Sequence, residues 1–248
     1  VVVAVIDTGI TSHPDLNVNI LAGYDFISDA ATARDGNGRD GDPADDGDWH
    51  SDSGCAVSIP TDMAPIWPTP RSMPRSFRSV YWAAAAVRCR TSPMPSYRRP
   101  TSGGSCLPAN ANPAEVINMP RGGGTCSATM QTAINSAVSR GTTVVVVAAG
   151  DSSTNVSGAL PANCANVIAV AATTSAGAKV SYSNFGAGID ICGAGSAILS
   201  TRNSGTTTPG TANYAWYNGT PMAAPHVARV VALVQSAATR PLTLRRSA

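Results

Sequence analysis

The chain opens on six consecutive residues without a polar side chain, Val1-Val2-Val3-Ala4-Val5-Ile6, and this run stops at Asp7-Thr8-Gly9. A half-buried strand alternates apolar and polar residues, and this one does not. Both of its faces must therefore be covered, which is the situation of a strand inside a parallel sheet packed between layers. Glu115 to Met119, Thr142 to Ala149 and Asn166 to Ala172 are further strands of that kind, and Thr129 to Val138 between the first two has apolar residues at helical spacing. Strand, helix and strand in this rhythm predict an α/β fold of three layers, a mostly parallel central sheet flanked by helices. Folds of this class place their sites at the carboxyl ends of strands. Asp7 and the Gly150-Asp151 turn both fall there.

At 248 residues the chain can bury its core as one α/β domain or as two small ones, and a single domain spanning 1–248 is the expectation. No apolar run approaches the roughly 20 residues of a membrane span, and the opening run is too short, and lacks the basic leader, for a signal peptide. A mature chain, or one truncated at both ends, is expected in place of a full precursor. The net charge of +2 is unevenly spread, because residues 61–105 hold seven arginines against the single acid Asp62. Outside that stretch nothing resembles a basic nucleic-acid face. Six cysteines without a C-x-x-C pair argue for disulfides and an oxidising compartment rather than a zinc ribbon.

Residues 35–48 form a Gly-rich loop with six carboxylates. Mutual repulsion favours a hard cation shared among them, and calcium takes oxygen ligands at this density. Asp35, Asp40, Asp46 and Asp48 are the candidate ligands. A solvated loop is the other reading.

Three blocks occur in order: Asp7-Thr-Gly followed by Ile10-Thr-Ser-His-Pro-Asp-Leu16, then Val144-Val-Val-Val-Ala-Ala-Gly-Asp151, then Asn218-Gly-Thr-Pro-Met-Ala-Ala-Pro-His-Val-Ala228. Together they resemble the subtilisin family, and closely its calcium-binding extracellular bacterial members. The likeness covers residues 1–55 and 107–238. It implies the subtilisin-like fold, secretion, a monomer acting on protein or peptide substrates, and a triad in the order Asp, His, Ser. Asp7 matches the carboxylate that orients the imidazole. Asp151 occupies the slot of an Asn whose amide stabilises the oxyanion. Pro221 stands where the family has its nucleophilic Ser. Pro120, Arg121 and Gly122 match the strand that pairs with substrate backbone, where Ser-Leu-Gly is usual. The resemblance also implies a disulfide between Cys126 and Cys164, constraining the unfolded chain by roughly 3–4 kcal/mol. It further pairs Cys55 with a cysteine in a shifted frame near Ala84, leaving Cys89 without a role.

The departures have chemical consequences. Proline has no hydroxyl, so no acyl-enzyme forms at position 221. An ionised Asp151 repels a developing oxyanion, and Pro120 lacks a backbone donor. Each change, with Arg229 for a Gly, is reachable by one base substitution. The family's His-Gly-Thr-His block is absent. His50 is a weak candidate for the base, while His13 and His226 read as structural.

Residues 61–105 show no period of 2 or 3.6. Back-translated and shifted by two bases, Ser76 to Trp82 permits a buried strand, Trp82 to Tyr97 an amphipathic helix, and Asp62 to Pro68 a His-Gly-Thr-His block. Agreement over three blocks in one frame identifies 61–105 as an out-of-frame translation; the final residues 239–248 have weaker signs of the same slip. Three functions follow as alternatives. The chain is an endopeptidase whose reading frame is disturbed here, a catalytically inactive peptide-binding fold, or the product of a decayed gene.

Overall fold

In the computed structural model, which describes residues 1–7, 9–28, 30, 36–44, 78–83 (backbone alone), 112–120, 124–139, 143–205, 208–238 and 242, the opening run is strand β1 (Val2–Asp7). The chain continues through β2 (Ile20–Leu21), β3 (Arg78–Ala83), β4 (Val116–Met119), helix α1 (Ala128–Val138), β5 (Val144–Ala148), β6 (Ile168–Thr173) and β7 (Ile191–Ala194). Then follow β8 (Ile198–Asn203), β9 (Ala212–Tyr217) and helix α2 (Thr220–Ala237).

Among the described residues, seven strands form one sheet in the order β2-β3-β1-β4-β5-β6-β7, and every neighbouring pair is parallel. The chain adds strands first to one side of β1 and then to the other. The reversal falls between β1 and β4, and at such a switch point the loops leaving the two strands part and open a crevice. Asp7 is the last residue of β1.

The unbroken apolar run of β5 is explained by its neighbours. Val144, Val146 and Ala148 pack with Val3, Val5, Val116 and the α2 residues Ala223, Ala224, Val227 and Ala228. Val145, Val147 and Ala149 pack on the opposite face with Ile134 of α1, Val156 and Val167. One strand thus serves two cores, each buried Val contributing about 1.5–3 kcal/mol. The inner face of α2 is built from alanines, which lets the helix approach the sheet closely. Gly195, just past β7, sits under its entrance: a Cβ there would lie 2.5 Å from the Gly219 carbonyl oxygen and 2.6 Å from the Ala172 Cβ.

Helix α1 starts at Ser127, whose side chain accepts a hydrogen bond from the Met130 N–H at 3.2 Å. Just before it, Cys126 is joined to Cys164, with the two Cα atoms 5.4 Å apart. Strands β8 and β9 form a separate antiparallel hairpin, paired from Ile198↔Tyr217 to Asn203↔Ala212. The hairpin docks on the loop after β1. The buried His13 bonds the Asn213 carbonyl through Nε2 and accepts the Asp15 N–H at Nδ1, while its ring meets Tyr214 edge-on at 5.1 Å. Both ring nitrogens are engaged, so His13 is a clamp.

The strand that the shifted frame places at Ser76 to Trp82 coincides in position with β3, whose backbone pairs with β1 from Val2↔Arg78 to Asp7↔Ala83. The helix and the histidine block of that reading lie outside the described residues, as does His50.

Candidate active site

Three segments converge on the carboxyl ends of the central strands: the end of β1, the Gly150–Thr154 loop after β5, and the Asn218–Pro221 turn that opens α2. Asp7 is 7% exposed. Its side chain shares a sheet face with Val3 and Val5, the face that α2 covers, by the two-residue period of a strand. β4 lies between β1 and β5, with Asn118 in register with both Val5 and Val146.

The turn after β5 reverses sharply at Gly150, whose φ of +98° suits glycine, and a Cβ there would stand 2.6 Å from the Asn184 amide nitrogen. This turn sends Asp151 toward α2. One carboxylate oxygen of Asp151 accepts the Thr220 N–H at 2.7 Å, and the Thr220 hydroxyl accepts the Gly150 N–H at 2.9 Å. Thr220 is fully buried between them. Gly219, which precedes the helix, has no side chain to cap it. Asp151 supplies the missing acceptor from another strand, at the end of the helix where negative charge is favoured.

Sequence reasoning read position 151 only as an oxyanion slot, and the capping bond was missed. The signal was Thr220 beside an uncapped glycine. Pro221 sits in the first turn of α2, where a missing N–H costs no helix bond.

Partial loss of water is the largest influence on the Asp151 carboxyl and pushes its pKa up, against the two hydrogen bonds with Thr220 that lower it. Burial, and after it the charge of Asp151, raises Tyr182 as well. Burial lowers His226, helped by the Arg229 charge. A carboxyl whose folded pKa exceeds its unfolded value contributes stability that is present below the unfolded value and lost as pH rises through the folded one. Asp151→Asn removes that loss while keeping an acceptor for Thr220. In thermal melts from about pH 3 to about pH 7 the variant should gain on the parent as pH rises. A constant offset between the two curves would contradict this.

The remaining candidates divide. Pro120 is buried directly after β4, while Arg121 and Gly122 lie outside the described residues. Asp40 is described, and Asp35, Asp46 and Asp48 are not. Asp40 accepts the Asn37 amide at 2.9 Å on one oxygen and the Asp42 N–H at 2.7 Å on the other. Each oxygen retains a second lone pair. Among the described residues no three acidic, histidine or cysteine side chains gather as metal ligands. No described helix is long and apolar enough to cross a membrane.

Residues 1–246 match the sequence profile of the subtilase family. The chain is 61% identical to an extracellular protease of Xanthomonas campestris pv. campestris over 98% of its own length and 45% of that protein's. It is 37% identical to an extracellular basic protease of Dichelobacter nodosus, over 96% of this chain and 43% of the relative. The chain thus spans less than half the length of these two relatives. Its structure superposes on a protease of Pseudoalteromonas arctica with a TM-score of 0.80 at 38% identity, covering 95% of this chain and 77% of that one.

Proposed function

Because the chain belongs to the subtilase family, we propose that it is the scaffold of a secreted serine endopeptidase, with Asp7 orienting a histidine, position 151 facing the oxyanion and position 221 carrying the nucleophile. The observation that carries this reading is the pair of bonds joining Gly150 and Asp151 to Thr220. It sets position 151 against the helix start that bears position 221, as an oxyanion donor must stand beside a nucleophile. Substrates are proteins or peptides, and the chain works as a monomer away from membranes and nucleic acid. Secretion accords with the relatives named as extracellular proteases.

With Pro221 in the nucleophile position the literal chain has no atom to form an acyl-enzyme. The endopeptidase reading therefore assigns Ser to codon 221 and the histidine to the stretch written as Asp62 to Pro68. Resequencing the gene across codons 50–110 and 221, then assaying its product on casein, tests this. A product with both residues that cleaves casein and is stopped by a serine-directed fluoride supports the reading. A product with both residues and no activity defeats it. Confirmed Pro221 leaves the inactive peptide-binding fold or the decayed gene.

The loop of residues 35–48 holds calcium in this reading. The chemistry of the donor set fits a hard cation, since all its candidate ligands are carboxylate oxygens, and Asp40 keeps lone pairs free for one. The ion's role is structural, neutralising carboxylates that otherwise repel. Excess chelator should lower the melting temperature and hasten self-digestion of an active product. An unchanged melting temperature would exclude calcium there.

A further inference from the structure

The Gly150–Thr154 loop and the Asn218–Pro221 turn lie outside the strands, and a third segment touches both. Tyr182, Ser183 and Asn184 follow β6. Asn184 is 2% exposed. Its side-chain oxygen accepts the Ser152 N–H at 3.1 Å, the Thr154 N–H at 3.0 Å and the Thr154 hydroxyl at 3.2 Å. Its side-chain amide donates to the Ala149 carbonyl at 2.8 Å, and its backbone N–H donates to the Gly150 carbonyl at 2.9 Å. Tyr182 faces the other way. Its carbonyl accepts the Ser153 N–H at 2.9 Å, while its phenol donates at 2.6 Å to the Gly195 carbonyl, which also accepts the Gly219 N–H at 2.8 Å. Ser183 between them is fully buried, its hydroxyl accepting the Ala172 N–H of β6 at 3.0 Å.

We propose that Tyr182 and Asn184 are positioning residues of the candidate active site, the two ends of a brace pinned to β6 that fixes the loop of position 151 against the turn of position 221. The inference rests on the roles assigned above to those positions but concerns only their relative placement. A single side-chain amide with four bonds to one loop leaves that loop little freedom, and a neutral donor–acceptor pair is required for it. Asp at 184 has no N–H for the Ala149 carbonyl, and Ser is too short to span from Ala149 to Thr154.

Removing the Tyr182 hydroxyl deletes one bond to Gly195 and frees the carbonyl that anchors Gly219. The raised titration of Tyr182, due after burial to the Asp151 charge, agrees with the two groups sharing one enclosure.

The test uses the Pro221 chain and needs no turnover. Amide exchange at Gly219 and Thr220 and the carboxyl titration of Asp151 are followed by NMR in the parent, Tyr182→Phe and Asn184→Ser. In Tyr182→Phe, exchange at Gly219 and Thr220 should accelerate at least about tenfold while Val145 to Val147 keep their protection, as local opening differs from global unfolding. Asp151 should titrate nearer the ordinary carboxylate value, because water reaches it. Exchange unchanged within about twofold and an unmoved Asp151 would overturn the brace. So would acceleration spread equally over β5, which marks a merely stabilising residue. Should Asn184→Ser fail to fold, the Tyr182→Phe arm decides alone. An error in the catalytic roles of positions 151 and 221 would leave all these signals unchanged, so the two failures are distinguishable.

Discussion

Protein carrying Pro221 is expected to take no covalent label from sulfonyl or phosphonyl fluorides, and to show no peptidase activity, while keeping its fold. The fold survives because proline fits the first turn of α2 without losing a helix bond, and because Asp151 caps the helix through Thr220, not through residue 221. The chemistry fails because the pyrrolidine ring offers no nucleophile. Intact mass before and after reagent, beside a melting curve, provides the measurement; stoichiometric labelling with Pro221 confirmed would show the nucleophile to lie elsewhere. Pro221→Ser restores a hydroxyl but no base. Its turnover should stay on the order of 10⁶-fold below an intact triad, since losing the base costs about as much as losing all three members. If that variant does react and His50→Ala silences it, the base is His50.

The second large effect is expected at Gly195, where added volume meets backbone and not a movable side chain. A Cβ would approach the Gly219 carbonyl oxygen to 2.5 Å and the Ala172 Cβ to 2.6 Å. Relief requires α2 to lift from the sheet at its entrance or β7 to slide, and both lie at the site. Gly195→Ala should therefore cost about 3 kcal/mol, a fall of roughly 6–12 °C in melting temperature for a chain of this size. Gly158→Ala is the control, because a Cβ there meets nothing within 4 Å; its effect should stay within about 0.5 kcal/mol. Equal melting temperatures for the two variants would show that the helix start tolerates displacement.

What the sequence made legible was whatever burial on two faces dictates. The valine runs of β1 and β5 declare themselves because each residue has a core to enter, and α1 is legible by its period. Strands β7, β8 and β9 are not: Ile191 and Cys192 at the sheet edge are exposed, and β9 alternates around half-exposed aromatics. The site divides the same way. Asp7 is legible as a carboxylate at the end of a buried strand. Asn184 is not, since its importance comes from backbone groups at 149–154, thirty or more residues away in sequence. The capping role of Asp151 is only half legible: Thr220 after an uncapped glycine asks for an acceptor, but the loop after β5 that supplies it is remote in sequence.

The place of β1 in the sheet has a consequence for biosynthesis. This strand is an inner one, and its two neighbours begin at Arg78 and Val116. A ribosome adding about 5–20 residues per second exposes β1 for roughly 5 to 20 s before the β4 partner has been made. Until Arg78 to Ala83 has been made both edges of these apolar residues lack their partners, and one edge stays open until β4 follows, the state in which nascent chains cling to one another. The strand is thus an exposed segment during synthesis, and a holding factor that sequesters Val1 to Asp7 should raise the yield of folded protein more than one acting on α2, which is made after the strands it covers.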